Sequence, residues 1–289
     1  MTNLNLEHFE EKLQKRINSQ INTYFSSNSL IQEAMNFSLS APGKRVRPIL
    51  IYLVGDIYNI SLERLDSLAL ASEIIHTYSL VHDDLPCMDD DDLRRGQPTL
   101  HKKYSESTAV LAGDAMQSLA VQIILEDKKL SNELKVSILK LLMEKVGYKG
   151  MIFGQEQDIS FEKKSVNKEE IIQMNYLKTG LLIEFSILAP LLIADVEEND
   201  WNIIARNVGI AFQLIDDLLD LEESEENLGK ATNKDSSKNK KSLPLTLGRS
   251  ETINEIKKFH LETMESFSKL SLNNHPLMIY IENLFNRRS

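Results

Sequence analysis

Apolar residues near the start of the chain recur every three or four positions, through Leu6, Leu13 and Ile21. This spacing predicts an amphipathic helix over Leu4–Phe25 with a charged outer face. Comparable spacings predict further helices at Leu30–Leu39, Asp66–His82 and Ala109–Leu125, and again beyond Pro244. The segment Ala109–Leu125 is apolar nearly all round, so we expect it to be buried within the domain or against another subunit. The pattern as a whole favours an all-α fold.

Breaker residues are scarce: the 289 residues include 11 glycines and 7 prolines, and no linker-like stretch precedes residue 222. We therefore expect one helical domain over residues 1–289. The net charge of −10 argues against nucleic-acid binding, so clustered cations should serve a discrete small anion. The single cysteine, Cys87, excludes an internal disulfide and favours a reducing compartment.

The first residues lack the basic head and apolar core of a targeting peptide. The most apolar run, Leu181–Ala194, has fourteen residues and contains Glu184 and Pro190. A bilayer-spanning helix needs about 20 residues, so we expect no transmembrane segment and a cytoplasmic location.

The segment Ser79–Gly96 gathers six aspartates within ten positions and then presents two arginines. The aspartates are Asp83, Asp84, Asp89, Asp90, Asp91 and Asp92, and the arginines are Arg94 and Arg95. Carboxylates this dense need a shared cation, and guanidinium groups match phosphate, so a magnesium diphosphate satisfies both halves. The alternatives are a solvent-exposed acidic turn or a loose Ca²⁺ loop, although Met88 and Arg94 occupy the positions where an EF-hand requires glycine and glutamate.

Pro86 is expected to end the preceding helix, which lets the chain fold back and bring Asp89 toward Asp83. His76 lies two helical turns before Asp83 and shares its face, so its imidazole can face the same ligand. A buried core histidine is the alternative.

Two other stretches carry candidate chemistry. Gly43–Pro48 reads GKRVRP and places three cations at a helix start, which indicates an anion site there or, alternatively, a basic turn in solvent. Phe212–Asp220 reads FQLIDDLLD, and its Asp216 and Asp220 share one helix face. The polar segment Glu222–Ser242 that follows is interpreted as a mobile loop, either a lid or an exposed linker.

In their order along the chain, the basic motif and the two aspartate motifs resemble those of the trans-prenyltransferases. The resemblance extends from about Gly43 to Pro244. The resemblance implies an isoprenoid synthase-like bundle of about ten helices around a deep central cavity, assembled as a homodimer. Facing helices would present the two aspartate clusters across that cavity.

The resemblance also implies roles for individual residues. Mg²⁺, as three ions with substrate bound and with Mn²⁺ able to substitute, would be held by Asp83, Asp84, Asp89, Asp216 and Asp220. Isopentenyl diphosphate would be held by Lys44, Arg47, His76 and Arg95. The allylic diphosphate would be held by Arg94, Lys178, Thr179, Gln213, Lys230 and Lys240. The residues most directly involved in catalysis would be Asp83, Asp89, Arg94, Lys178 and Asp216.

The implied reaction is ionisation of the allylic diphosphate, attack by the isopentenyl double bond and loss of a proton. Tyr78 and Ser79 lie five and four residues before Asp83, about 7.5 and 6 Å along the helix, and would limit the product to farnesyl diphosphate. Geranyl or geranylgeranyl diphosphate is the alternative product, and ordinary core packing is the alternative role of Tyr78. A terpene cyclase, a non-catalytic subunit of a prenyltransferase complex and a Ca²⁺-binding helical scaffold are the competing functions.

The chain departs from the family pattern at two places. Phe153 precedes Gly154 and Gln155 where two glycines are usual, which predicts a bulky ring at a point of close backbone approach. The lid motif is also altered, since Lys241 follows Lys240 where serine or threonine is usual.

Overall fold

The structure of the chain, a computed structural model, describes residues 3–24, 29–197, 199–228 and 241–287. The fold is helical, which confirms the predicted class. The α-helices are α1 (Asn3–Tyr24), α2 (Leu30–Leu39), α3 (Val46–Ile57), α4 (Leu62–Asp83), α5 (Leu100–Lys103), α6 (Glu106–Glu126), α7 (Asn132–Val146), α8 (Met151–Phe161), α9 (Lys168–Asn175), α10 (Leu181–Ala194), α11 (Asn199–Leu228), α12 (Leu243–Leu247), α13 (Arg249–Lys269) and α14 (Pro276–Phe285). Two short strands, β1 (Leu93–Arg94) and β2 (Gln97–Pro98), pair antiparallel, and a π-helical turn, Tyr176–Gly180, joins α9 to α10.

The chain divides into two compact units. The first comprises Met1–Lys140 with Ala189–Val196, and the second comprises Leu141–Leu188 with Glu197–Ser289. The predictions of one domain and of a central cavity are not tested by these units and stay predictions.

In the first unit, α4 packs against both α3 and α6. Small residues of α6 allow this close approach, because a Cβ added at Gly113 would lie 2.0 Å from the ring of His82 on α4. One side of α6 is buried against the unit, while Leu111 and Leu125 on the other side are exposed. The apolar pattern predicts a helix that is buried within the domain or against another subunit, and within one chain only one face of α6 is buried.

In the second unit, the long helix α11 packs along α13, and both α8 and α11 contact the π-helical turn. The side chain of Asn167 and that of Glu170 form a reciprocal capping box at the start of α9, which fixes where the helix approaching the turn begins. Helix α11 continues to Leu228, so the start of the predicted loop Glu222–Ser242 is helical.

Two stretches, Glu106–Glu126 and Lys168–Ala194, are long and apolar enough to cross a membrane. The second is longer than the fourteen residues of the apolar run, because the π-helical turn joins α9 and α10 into one helical segment. Buried core helices meet the same criterion, so these stretches are weak evidence for a membrane span.

Candidate active site

The acidic loop of the first unit folds back on the helix that carries it. Helix α4 ends at Asp83, and the backbone N–H of Asp89 donates to the carbonyl of Asp83 at 2.8 Å. A second return bond runs from the N–H of Asp91 to the carbonyl of Asp84 at 3.3 Å. The predicted return of the chain after Pro86 is confirmed, and the structure brings Asp83 and Asp89 together.

Arg94 on strand β1 pairs with the buried carboxylate of Asp84. Its Nε lies 2.9 Å from Asp84 Oδ1, its Nη2 contacts the same oxygen, and Nη2 also lies 3.1 Å from Asp91 Oδ2. Burial raises the pKa of Asp84, and the hydrogen bonds from Arg94 partly offset that rise. Asp84, a predicted Mg²⁺ ligand, and Arg94, a predicted contact of the allylic diphosphate, are therefore neighbours.

The turn between β1 and β2 directs the second arginine toward the basic motif. Arg95 and Gly96 have φ values of 54° and 75°, the left-handed conformations that a tight hairpin turn requires. The Arg95 guanidinium then lies over Gly43, where a Cβ would be only 2.6 Å from Nη1. Its Nη2 is 3.4 Å from His76 Nε2. The glycine of the basic motif thus leaves room for this arginine.

His76 lies among positive charges. Its half-buried ring has a pKa well below the usual value, because burial and the guanidinium groups of Arg47, Arg95 and Arg45 all disfavour the imidazolium. Arg47 is buried, whereas Lys44 is exposed. The structure thus brings His76, Arg47 and Arg95 together, and a neutral imidazole among guanidiniums is a suitable partner for an anion.

Sequence reasoning missed the acid that accompanies this cluster. Glu73 on α4 accepts from Arg45 Nη1 at 2.5 Å, and both side chains are 2% exposed. Arg45 also donates to the carbonyls of Leu39 and Ala41, at 2.6 and 3.0 Å. A glutamate within a largely apolar buried helix is a signal that could have revealed this pair, because a buried charge requires a partner.

In the second unit, the aspartate motif of α11 anchors a hydrogen-bond network. The Thr179 hydroxyl donates to Gln213 Oε1 at 2.7 Å, and Gln213 Nε2 donates to Asp217 Oδ1 at 2.9 Å. Asn175 Nδ2 donates to the other Asp217 oxygen at 3.1 Å. Burial raises the pKa of Asp217 to about 6 despite these bonds. Thr179 and Gln213, predicted as neighbours of one substrate, are in direct contact.

Lys178 faces the same region. Its Nζ donates to Asp158 Oδ2 on α8 at 2.6 Å. A cavity of about 270 Å³ is lined by Lys178, Asp158, Gln213 and Asp217, together with Asp220 and Lys241. Acidic and basic side chains therefore line one opening, as a metal-bound anion requires.

Asp216 pairs with an arginine from the chain's carboxyl end. Arg287 Nη2 contacts Asp216 Oδ1, and the guanidinium lies over the ring of Phe212 with its carbon 4.8 Å from the ring centroid. The Arg287 side chain is 13% exposed. No sequence signal pointed to this contact, since Arg287 lies far from the motifs.

The donor set suits a hard cation, because carboxylate oxygens are the ligands that Mg²⁺ prefers. Within the described ranges, no three histidine, cysteine, aspartate or glutamate side chains converge as a preformed metal site. Asp84 and Asp216 contact arginines there. The oxygen donors of these aspartates are therefore chemically suited to Mg²⁺, and two of the carboxylates, those of Asp84 and Asp216, are paired with arginines.

Two departures from the expected pattern can be located. Phe153 is 39% exposed, and the close backbone approach occurs at Gly154, so the expected intrusion of a bulky ring is wrong. Lys230 and Lys240 lie outside the described residues, whereas Lys241 lines the cavity.

The predicted product-length residues lie on α4. Tyr78 is 5% exposed, with its ring edge-on to His82 at a centroid distance of 5.9 Å. Burial raises the pKa of the Tyr78 phenol to about 12. The Ser79 hydroxyl donates to the His76 carbonyl at 2.9 Å. Tyr78 therefore lies within the packed interior, against His82.

Residues 28–270 match the family model described as polyprenyl synthetase. The chain is 42% identical to the farnesyl diphosphate synthase of Micrococcus luteus, over 80% of each chain. It is 37% identical to that of Haemophilus influenzae, over 91% of this chain and 93% of the relative. It is also 37% identical to the geranylgeranyl diphosphate synthase of Cyanophora paradoxa, over 90% and 89%.

Solved structures of similar proteins superpose on nearly the whole chain. A geranyltransferase from Legionella pneumophila has a TM-score of 0.84 and 31% identity, with 98% of this chain and 97% of that chain covered. A geranyltransferase from Helicobacter pylori, complexed with magnesium and isoprenyl diphosphate, has a TM-score of 0.81 and 31% identity, over 99% and 97%.

Proposed function

Since the chain belongs to the polyprenyl synthetase family, we propose that it is a Mg²⁺-dependent prenyltransferase that condenses isopentenyl diphosphate with dimethylallyl and then geranyl diphosphate, yielding farnesyl diphosphate. One observation supports this best: the ring of His76 lies beside the guanidinium groups of Arg47 and Arg95, next to the buried ion pair of Arg45 and Glu73. This cluster suits a second diphosphate, which a condensation needs and a terpene cyclase does not.

In the proposed reaction, the C–O bond of the allylic diphosphate breaks, a C–C bond to the isopentenyl group forms, and a proton leaves for the released diphosphate. When bound, Mg²⁺ supplies charge stabilisation to the departing group. Arg94 and Lys178 donate to its oxygens and stabilise the same charge. Arg47 and Arg95, beside the neutral His76, hold and orient the second diphosphate.

The metal ligands we propose are Asp83, Asp84, Asp89, Asp216 and Asp220. The hard oxygen donors support this assignment, as does the magnesium named in the Helicobacter pylori complex. Three ions, replaceable by Mn²⁺, are part of the same proposal. For the allylic substrate, Thr179 and Gln213 are proposed to lie near the reacting carbon. Lys230 and Lys240 are proposed as further contacts of the allylic diphosphate.

The product-length assignment rests on Tyr78. Its ring is buried on the helix that carries the first aspartate motif and lies against His82. A growing prenyl chain that extends along this helix away from Asp83 would meet the phenol. Because the similar proteins include both farnesyl and geranylgeranyl diphosphate synthases, identity alone does not decide the length.

We also propose a homodimer and a cytoplasmic location. The exposed face of α6 carries Val110, Leu111 and Leu125, which are 40%, 55% and 51% exposed. Apolar residues aligned on one helix favour burial against a second copy. Light scattering coupled to gel filtration would report the mass, and Leu111→Glu should yield monomer if this face forms the interface.

The function is tested by product analysis with radiolabelled isopentenyl diphosphate and each allylic partner. Farnesyl diphosphate should accumulate with Mg²⁺, and EDTA should abolish it. Asp83→Ala and Asp216→Ala should each lose about 3 kcal/mol of transition-state stabilisation, or about a hundredfold in turnover. Asp92→Ala is the matched control, because this aspartate of the same loop is not a proposed ligand and contacts Lys102 at 2.8 Å.

Wild-type protein that leaves isopentenyl diphosphate unconsumed would exclude the enzyme and favour a non-catalytic subunit or a Ca²⁺-binding scaffold. A twenty-carbon main product would instead support the proposed condensation reaction and show that the proposed product length is wrong. Near-normal turnover of Asp83→Ala would refute the metal assignment.

A further inference from the structure

The π-helical turn Tyr176–Gly180 carries both Lys178 and Thr179. Its closing bond runs from the N–H of Leu181 to the carbonyl of Tyr176, five residues back. Such turns are rare and occur within helices at functional sites, because the added residue changes which direction side chains face. Two neighbouring helices, α8 and α11, pack against this turn.

Helix α8 supports the turn from one side. A Cβ built at Gly154 would lie 2.2 Å from the backbone nitrogen of Lys178 and 2.6 Å from its Cα, closer than real Cβ atoms approach. Backbone therefore packs directly on backbone. One helical turn later, Asp158 accepts from the Lys178 ammonium at 2.6 Å. Helix α8 thus contacts both the backbone and the side-chain ammonium of Lys178.

Helix α11 repeats this arrangement on another side. A Cβ at Gly209 would lie 2.7 Å from the carbonyl oxygen of Gly180 and 2.8 Å from its Cα. One helical turn later, Gln213 accepts from the Thr179 hydroxyl at 2.7 Å. Each neighbouring helix therefore offers a glycine to the backbone of the turn and, four residues on, a side chain to one of its functional groups.

We propose that Gly154 and Gly209 are positioning residues that hold the π-helical turn, and so place the Lys178 ammonium and the Thr179 hydroxyl for the reaction. This inference rests on the proposed function and names residues that contact no substrate. A methyl group at either position forces α8 or α11 away from the turn, because the atoms it meets are backbone and cannot rotate aside. Lys178 and Thr179 would then shift relative to the departing diphosphate.

The rival explanation is that the two glycines serve packing alone. The kcat and KM of alanine variants distinguish this explanation from the proposed positioning role. A shift of about 1 Å in a catalytic group costs about a hundredfold in rate. Gly154→Ala and Gly209→Ala should therefore each lower kcat by about tenfold to a hundredfold. The KM for isopentenyl diphosphate should stay within about twofold, because its proposed ligands lie elsewhere in the chain.

Gly55→Ala is the matched control. A Cβ there would lie 2.2 Å from Leu65 Cδ1, so the added methyl is equally crowded, but its neighbour is a scaffold side chain. This variant should lower Tm and leave kcat unchanged. Equal loss of Tm in all three variants, with kcat altered in none, would overturn the proposal.

Amide hydrogen exchange of the wild-type protein tests the inference without any variant. The Leu181 amide should be protected to the same degree as the interior amides of α10, because it closes the π-helical turn. Rapid exchange there would overturn the proposal even if neither glycine variant folds. Exchange does not depend on catalysis, so a protected amide in a protein that leaves isopentenyl diphosphate unconsumed would refute the proposed function while retaining the held turn.

Discussion

Removing the charge of Glu73 should weaken isopentenyl diphosphate binding through Arg45, a residue placed in neither substrate site. Arg45 lies within the basic motif, between Lys44 and Arg47, in a left-handed conformation with φ 49°. Its guanidinium bonds Glu73 at 2.5 Å and the carbonyls of Leu39 and Ala41. The ion pair thereby ties the basic motif to α4.

The magnitude follows from burial. Both side chains of the pair are 2% exposed, and removing one partner of a buried ion pair costs about 3–5 kcal/mol because the other charge is left uncompensated. The substitution Glu73→Gln keeps the shape and an acceptor oxygen, so we expect the lower end, about 3 kcal/mol in the free energy of unfolding. A domain is stable by about 5–15 kcal/mol, so the variant should fold.

The functional effect should be selective. A loosened basic motif no longer fixes Arg47 beside His76, and we expect the KM for isopentenyl diphosphate to rise about tenfold, equivalent to about 1.4 kcal/mol of binding. The KM for the allylic substrate should change less than twofold. Urea unfolding and steady-state kinetics with each substrate varied in turn measure the two effects.

A second ion pair of the first unit provides the control. Arg16 contacts Asp66 at 2.7 and 2.6 Å, and Tyr52 donates to the same carboxylate at 2.7 Å. Asp66→Asn should lower stability and leave both KM values unchanged, since none of its partners belongs to the proposed site. If Glu73→Gln raises both KM values equally or leaves them unchanged, the positioning argument fails.

The double variant Arg45→Met/Glu73→Leu separates stability from positioning. Replacing a buried ion pair with apolar residues of similar volume is often neutral or stabilising. Unfolding free energy should therefore recover in part, since the carbonyls of Leu39 and Ala41 also lose their donor, while the KM for isopentenyl diphosphate stays raised. Recovery of both would show that the single variant acted through stability alone.

Three other outcomes are expected. Arg47→Ala should raise the KM for isopentenyl diphosphate far more than that for the allylic substrate, and equal effects in steady-state kinetics would mean that the two diphosphate sites are assigned wrongly. Tyr78→Ala should yield products longer than farnesyl diphosphate by chromatography of the labelled products, whereas an unchanged distribution from a folded, active variant would refute the floor assignment. Arg287→Ala should lower the Mg²⁺ concentration for half-maximal activity about fivefold, because a partly exposed ion pair with Asp216 is worth about 1 kcal/mol and competes with the metal. A higher Mg²⁺ requirement would instead indicate that Arg287 assists the ligand.

The positions of helices were predictable because they depend on local sequence. Apolar spacing placed α2 at Leu30–Leu39, the bounds that the structure has. The return of the chain after Pro86 was also predictable, since proline cannot continue a helix and the chain beyond it can fold back toward Asp83. These predictions needed no knowledge of which helices pack together.

Contacts between distant segments were not predictable. Arg287 meets Asp216 across 71 positions of sequence, and nothing near either residue indicates the pairing. Phe153 was assigned to a close approach that Gly154 makes, because the spacing of the motif does not reveal which residue of α8 faces the π-helical turn. The turn itself depends on packing against α8 and α11, which the local pattern of Tyr176–Gly180 does not encode.

The carboxylates and cations of each unit suggest the proposed chemistry, whereas small residues set the distances around its charged groups. Gly43 leaves room for the Arg95 guanidinium, and Gly154 and Gly209 bring two helices onto the backbone that carries Lys178. A side chain at any of these positions would move a charged group without removing it. Because electrostatic stabilisation depends on where a charge lies relative to the departing group, a shift of Lys178 should alter rate more than affinity. A shift of Arg95, a proposed contact of the second diphosphate, should instead alter the binding of isopentenyl diphosphate. Sequence comparison restricted to charged motifs would therefore overlook the glycines that position these charged groups.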